Sequence, residues 1–212
     1  FGRIADTAID QNTGPFVVYR KLGQIIAEQR ATIRRAPVDD EHPPWASVDN
    51  AVAAGEICDM PVMVDFWPRP PERPYDDLIL KHLRPGDIHT HVFARQFPIL
   101  DGDVKVHDYM FAARERGIHF DVGHGAGSCS FDTIKTALAN DFLPDTISSD
   151  VSTISVEGPV FDLVTTMSKF LHCGMELYDV VGCTTQAPAQ TMGLGGALGT
   201  LRPGADGDVT IL

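Results

Sequence analysis

Two histidines separated by one residue, His89 and His91 in GDIHTHVF (86–93), are the first residues whose type and spacing point to chemistry. Alternate side chains of a β-strand share a face, so both rings would look into one space. Neutral imidazole is a common ligand for zinc and similar ions. The plainer reading is two hydrogen-bonded core residues. Asp65, in PVMVDF (61–66), is a carboxylate inside an apolar run. Burying an unpaired charge is costly, so Asp65 needs an arginine, a backbone N–H or a metal. Asp150 ends TISSD, where it can cap a following helix or bind metal and take a proton from water. His124 lies between glycines in FDVGHGAG, where backbone and ligand approach closely, and is a candidate substrate contact. His42, His82, His107, His119 and His172 read as surface or structural residues, and Cys129 as a packing residue.

The elements that must position these residues follow a beat. Short apolar runs at PVMVDF, GDIHTHVF, GIHFDVGHG (117–125) and PDTISSD (144–150) recur every 25 to 30 residues or so, the spacing of βα units. Helical patterns fill the gaps: 45–58, YDDLILKHL, HDYMFAARERG with Gly117 as its exit, FDTIKTALAND, and PVFDLVTTMSKFLHCG with Pro159 in the first turn and Gly174 at the exit. On the first strand Met63 and Asp65 share a face, while Val62, Val64 and Phe66 face helices. Repeated βα units predict a parallel sheet covered by helices, either an open doubly wound sheet or part of a (β/α)8 barrel. Asp65, His91 and Asp150 fall at or near strand C-terminal ends, where both architectures place ligands. GHGAGS (123–128) lacks the GxGxxG spacing and the P-loop lysine. Residues 14–30 predict one helix and 34–45 a loop.

The composition narrows the partners. A formal net charge of −12 disfavours nucleic acid and anionic membrane surfaces. Apolar content of 43% with 22% charged residues fits a soluble globular chain without a membrane span. FGRIADTAID has no basic-then-apolar leader, and the four cysteines form no CxxC, which together predict a reducing, cytoplasmic setting. The opening without Met and the β-type ending DGDVTIL lead us to expect a piece of a longer sequence.

Taken together, PVMVDF, LRPGDIHTHVF, RGIHFDVGHGAGSCSF, FLPDTISSD and LGTLRPGADGDVTIL, in that order, resemble the amidohydrolase superfamily, specifically its dihydroorotase-like amidohydrolase/deacetylase branch. The resemblance covers roughly residues 45–212. It implies a (β/α)8 barrel, partial in this sequence over 1–198, and, from Gly199 to Asp206 onward, a return of the chain to a small β-sandwich (199–212). It also implies one or two divalent metals, usually zinc, held by a strand 1 HxH, a carboxylated strand 4 lysine, histidines on strands 5 and 6 and an aspartate on strand 8. By order, PVMVDF matches strand 5, DIHTHVF strand 6, FDVGHG strand 7 and TISSD strand 8. His91 then takes the strand 6 ligand position and Asp150 the strand 8 aspartate. Asp65 stands where a histidine is usual, and His89 becomes a pocket-lining candidate beside His124. The strand 1 HxH and the lysine have no counterpart here, and residues missing near Ile33–Arg34 would account for both.

The function implied is hydrolysis of an amide or ester bond by metal-activated water: of a cyclic amide, an N-acyl amino acid or an acylated hydroxy acid. Asp150 would move the proton, and Asp65, His91 and Asp150 would hold metal. A homo-oligomer acting on a small molecule is implied as well. A second reading is a non-catalytic barrel with an incomplete metal centre, serving as an assembly subunit. A Schiff-base lyase is disfavoured, because Lys81, Lys105, Lys135 and Lys169 all fall in predicted helices or loops.

Overall fold

The structure is a computed structural model that describes residues 44–65, 68–102 and 104–210. The chain divides into two compact units, Phe1–Ser47 and Val48–Leu212. Apart from the first two residues of α1, every element below belongs to the second. The helix predicted over 14–30 and the join at Ile33–Arg34 lie outside the described residues.

The elements run α1 (Ala46–Cys58), β1 (Met63–Val64), α2 (Tyr75–Asp77), β2 (Ile88–His89), β3 (Leu100–Asp101), β4 (Lys105–Val106), α3 (Asp108–Glu115), β5 (His119–Phe120), α4 (Phe131–Ala139), α5 (Leu163–His172), α6 (Leu177–Thr184) and α7 (Gln186–Thr191). α2 passes directly into a π-helical turn, Leu78–His82, so the segment predicted as one α-helix is split.

β1, β2 and β5 form a parallel sheet in that order. Val64 pairs with His89, and His89 with Phe120. TISSD takes a fourth parallel position beside β5. Asp121 bridges Thr146, and the N–H groups of Val122, His124 and Gly125 donate to the carbonyls of Thr146, Ser148 and Ser149, each at 3.1 Å. The regular strands are only two residues long, but these bonds extend the ladder towards the C-terminal ends of the strands. The fold is therefore α/β with a parallel sheet, as the βα beat predicts.

Aspartates at the opposite, N-terminal ends pin the strands. Asp87, 1% exposed, accepts from Val62 N–H at 2.9 Å and from the backbone and guanidinium of Arg84. One carboxylate thus joins the entries of β1 and β2. Asp145 does the same further along, accepting from Phe120 N–H at 2.8 Å and from Arg114 at 3.3 Å. The Arg114 guanidinium lies 4.1 Å from the ring centroid of Phe142, within cation–π range. Phe142 in turn packs against Phe93, Phe111 and Phe120.

The helices bury the stripes their periodicity marks. Met110 and Ala113 of α3, Ile134 and Ala137 of α4 and Phe170 of α5 have no exposed surface. Gly117 follows α3 with φ +91°, a left-handed exit that glycine adopts without a Cβ penalty. Ser130 caps α4 by accepting from Thr133 N–H.

Two expectations need correction. Pro159 is not in the first turn of its helix. α5 begins at Leu163, because Asp162 caps it by accepting from Thr165 N–H at 2.6 Å. Lys105 lies in β4 of an unpredicted β3–β4 hairpin rather than in a helix or loop. It is exposed and paired with Asp108, away from the parallel sheet. Residues 199–210, expected to lead into a β-sandwich, are largely exposed and carry no strand of their own.

Candidate functional site

His91 leaves β2 with φ +63°, a left-handed conformation unusual for a residue with a side chain. That turn places its ring at the C-terminal end of the sheet, only 4% exposed. Nδ1 is hydrogen-bonded to the carbonyl of Gly123. A carbonyl can only accept, so Nδ1 carries the proton. The approach depends on glycine: a Cβ at Gly123 would collide with Thr90 Oγ1 and His91 Nδ1.

The other ring nitrogen faces carboxylates. His91 Nε2 lies 3.4 Å from Asp65 Oδ2 and 3.7 Å from Asp150 Oδ2. Asp65 is 11% exposed and Asp150 50%, so one acid lies beneath the site and the other at its mouth. Asp150 has φ +44°. A Cβ at Gly125 would stand 2.6 Å from Asp150 Oδ2, so glycine is needed there too. The structure thus brings together the three residues read from sequence as metal ligands. Asp150 lies against His91 rather than capping a helix.

The donor set fits a cation. With the proton on Nδ1, a neutral His91 turns a lone pair towards two carboxylate oxygens. Three acceptors face one another, an arrangement that requires a proton or a metal ion between them. Metal-binding histidines commonly donate their second ring N–H to a backbone carbonyl, as His91 does. Zinc–ligand bonds of roughly 2.0–2.2 Å would put tetrahedral donors about 3.3–3.6 Å apart, close to the spacings seen here. Even so, among the described residues no group of three His, Cys, Asp or Glu closes into a full metal site.

Beneath His91 lies a residue that the sequence reading missed. Asp121, 1% exposed, accepts three hydroxyls at 2.6 Å, from Thr90, Thr146 and Ser148. Ser148 Oγ also accepts from Gly123 N–H at 3.1 Å. Asp121 therefore ties the β2, β5 and TISSD tracks together two residues before Gly123, whose carbonyl holds His91. Its signal was available: like Asp65, it is an aspartate between apolar strand residues, Phe120 and Val122.

His89 has no exposed surface. Tyr75 Oη lies 3.3 Å from its Nδ1, and its ring meets Tyr75 and Phe97 edge-on. Burial, with His91 nearby, pushes its pKa down to about 3, so the ring is neutral at pH 7. His124 is 5% exposed and engaged at both ring nitrogens: Nδ1 with the Gly125 carbonyl and Nε2 with Lys169 Nζ, each at 2.8 Å. Burial, and Lys169 beside it, lower its pKa. Cys129 is pushed up to about 12 by burial, which keeps it a neutral thiol and fits its reading as a packing residue. Among the other histidines, His82 meets Asp49, His107 stacks on Tyr109 and His119 lies in β5. A separate cleft of about 650 Å³, lined by Arg95, Phe97, Ser130 and Asp132 among others, includes none of these site residues.

No family model matches the chain. It is 36% identical over 156 residues to a deacetylase of Enterococcus faecalis, covering 72% of this chain and 41% of that protein. It is 37% identical over 143 residues to a deacetylase of Agrobacterium fabrum, covering 66% and 34%. An adenine deaminase crystal structure superposes with a TM-score of 0.71 at 32% identity, covering 77% of this chain and 45% of that one. A dihydroorotase structure gives 0.60 at 35% identity, covering 71% and 38%. The chain belongs to the amidohydrolase superfamily. Its relatives among curated proteins and solved structures place it in the dihydroorotase-like amidohydrolase branch. This amidohydrolase chain spans less than half the length of the relatives it matches.

Proposed function

We propose that this chain carries part of the active site of a metal-dependent amidohydrolase of the deacetylase type, acting on an amide or ester of a small acyl compound. One observation carries the reading: His91 Nε2 faces the carboxylates of Asp65 and Asp150 at the C-terminal end of the parallel sheet. The aspartates at the other strand ends are neutralised by arginines, as a stabilising role requires. The kinship with deacetylases supports the amide-hydrolysing class. We place the fragment in a (β/α)8 barrel, with 199–212 leading to a small β-sandwich.

Asp65, His91 and Asp150 would hold a divalent metal, with zinc the ion we favour. Such an ion supplies Lewis acidity and makes water a nucleophile near neutral pH. Asp150, half exposed at the mouth, is placed to take a proton and return it to the leaving group. Asp65, enclosed below, would share the ion with His91 Nε2, while the Gly123 carbonyl fixes the ring through Nδ1. In a compartment we take to be the cytoplasm, the substrate is a small molecule and the assembly a homo-oligomer.

The test is Asp150→Asn in the full-length protein, assayed for metal content and for hydrolysis of N-acetyl amino acids. Turnover should fall by about 10²-fold or more, the scale of lost acid–base catalysis, while the fold survives. Retained turnover would refute the assignment. The alternative is a non-catalytic barrel with an incomplete metal centre, serving as an assembly subunit. A full-length protein that binds no divalent metal would favour it.

A further inference from the structure

Position 123 admits only glycine, because a Cβ there would collide with Thr90 Oγ1 and His91 Nδ1. Yet glycine is the residue that restrains its own backbone least. Gly123, at φ +48°, carries the carbonyl that must point at His91 Nδ1. Its aim has to come from outside the residue.

Ser148 supplies it on both sides. Its Oγ accepts from Gly123 N–H and its carbonyl accepts from His124 N–H, each at 3.1 Å. The His124 N–H and the Gly123 carbonyl share one planar trans peptide, so they point opposite ways. Anchoring that N–H on Ser148 therefore turns the carbonyl away from the TISSD track and towards His91.

Asp121 anchors Ser148 in turn. Its Oδ2 accepts from Ser148 Oγ at 2.6 Å, which commits the serine proton and leaves the serine lone pairs for Gly123 N–H. The same Oδ2 accepts from Thr90 Oγ1 at 2.6 Å, and Thr90 immediately precedes His91. One carboxylate oxygen thus grips both segments that must meet, the one bearing the ring and the one bearing its acceptor. The other oxygen, Oδ1, serves Thr146, whose hydroxyl lies on neither path. Asp121 is only 1% exposed, so it acts on the site through these neighbours.

We infer that Asp121 is a positioning residue for His91: through Ser148 and Thr90 it aims the Gly123 carbonyl at Nδ1, so that the ring keeps its proton there and offers Nε2 to the ion. The inference rests on the metal assignment of His91 and adds the device that orients this ligand.

The experiment pairs Ser148→Ala with Thr146→Val in the full-length protein. Each removes one hydroxyl bond to Asp121 and should lower the melting temperature by a similar amount, but only the first lies on the path to His91. Zinc affinity is measured by competition with a chromophoric chelator. Ser148→Ala should weaken zinc binding about 10-fold or more, the scale for groups that orient a metal ligand, while Thr146→Val stays within about twofold of the parent. Asp121→Asn should weaken it in the same direction as Ser148→Ala. The tautomer is read separately by 15N-histidine NMR of the metal-free protein, with the His91 signals identified by their loss in His91→Gln. The parent and Thr146→Val should carry the proton on Nδ1, and Ser148→Ala should shift part of the population to Nε2. Equal zinc affinities in Ser148→Ala and Thr146→Val would reduce Asp121 to a structural role and overturn the inference. So would an unchanged tautomer in Ser148→Ala. If the protein binds no zinc but the tautomer still depends on Ser148, the metal reading fails and the positioning of His91 stands.

Discussion

Replacing Asp121 by asparagine should unsettle the sheet beneath the site by an amount that can be worked out. Oδ2 accepts from Thr90 and Ser148 and Oδ1 from Thr146. With its oxygen at the Oδ2 position, asparagine would keep two of these bonds as neutral ones. Each falls from about 1.5–3 kcal/mol, typical of bonds to a charged group, to about 1 kcal/mol. The new NH2 would face Thr146 Oγ1 and reverse the third bond, forcing that hydroxyl to find another acceptor. Removing a buried charge returns part of the loss. The net expectation is about 2–3 kcal/mol, or roughly 5–10 °C in melting temperature for a chain of this size. Thermal unfolding followed by circular dichroism measures it directly. Thr146→Val, which removes only the third bond, should cost about 1.5–3 kcal/mol. A melting temperature within a degree of the parent for Asp121→Asn would refute the reasoning, since the three hydroxyls would then not depend on the charge.

Gly125→Ala should strike the site harder than the fold. The left-handed φ costs alanine about 1 kcal/mol, whereas its Cβ would push directly on Asp150 Oδ2. Hydrolysis should drop about tenfold or more with only a small fall in melting temperature; unchanged turnover would show that Gly125 does not set the position of Asp150. Alkylation by iodoacetamide at pH 8, read by peptide mass spectrometry, should label the exposed Cys58 first. Cys129 and Cys183, whose thiols burial pushes up to about 12 and about 11, should react about 100-fold more slowly. Labelling of Cys129 as fast as Cys58 would contradict its burial.

What could be read in the sequence was local or periodic. The βα beat gave the parallel order of PVMVDF, GDIHTHVF and FDVGHG, because buried parallel strands must be apolar runs at that spacing. Asp65, His91 and Asp150 stood out as polar residues at the ends of those runs, and the structure brings them together. What escaped depends on long-range contact. Asp121 gathers hydroxyls 25 to 31 residues away, and Lys169 meets His124 across 45. No periodicity encodes such pairs, and a lysine on a half-buried helix looks like any other. The π-helical turn at Leu78–His82 was invisible because its apolar residues also fit an α-helix. Pro159 misled because a proline that suits a first turn also suits the loop before a cap, and Asp162 supplied the cap.

Two of the three acidic and imidazole groups of the site, His91 and Asp150, hold left-handed backbone that glycine or asparagine would adopt more comfortably. Two of the left-handed non-glycine positions among the described residues thus fall where the chemistry is proposed to occur. A lineage released from the need for turnover, yet still selected to stay folded, would feel a steady pull at these two positions. Glycine or asparagine arriving there would mark where such a lineage had begun to abandon the reaction while keeping the scaffold.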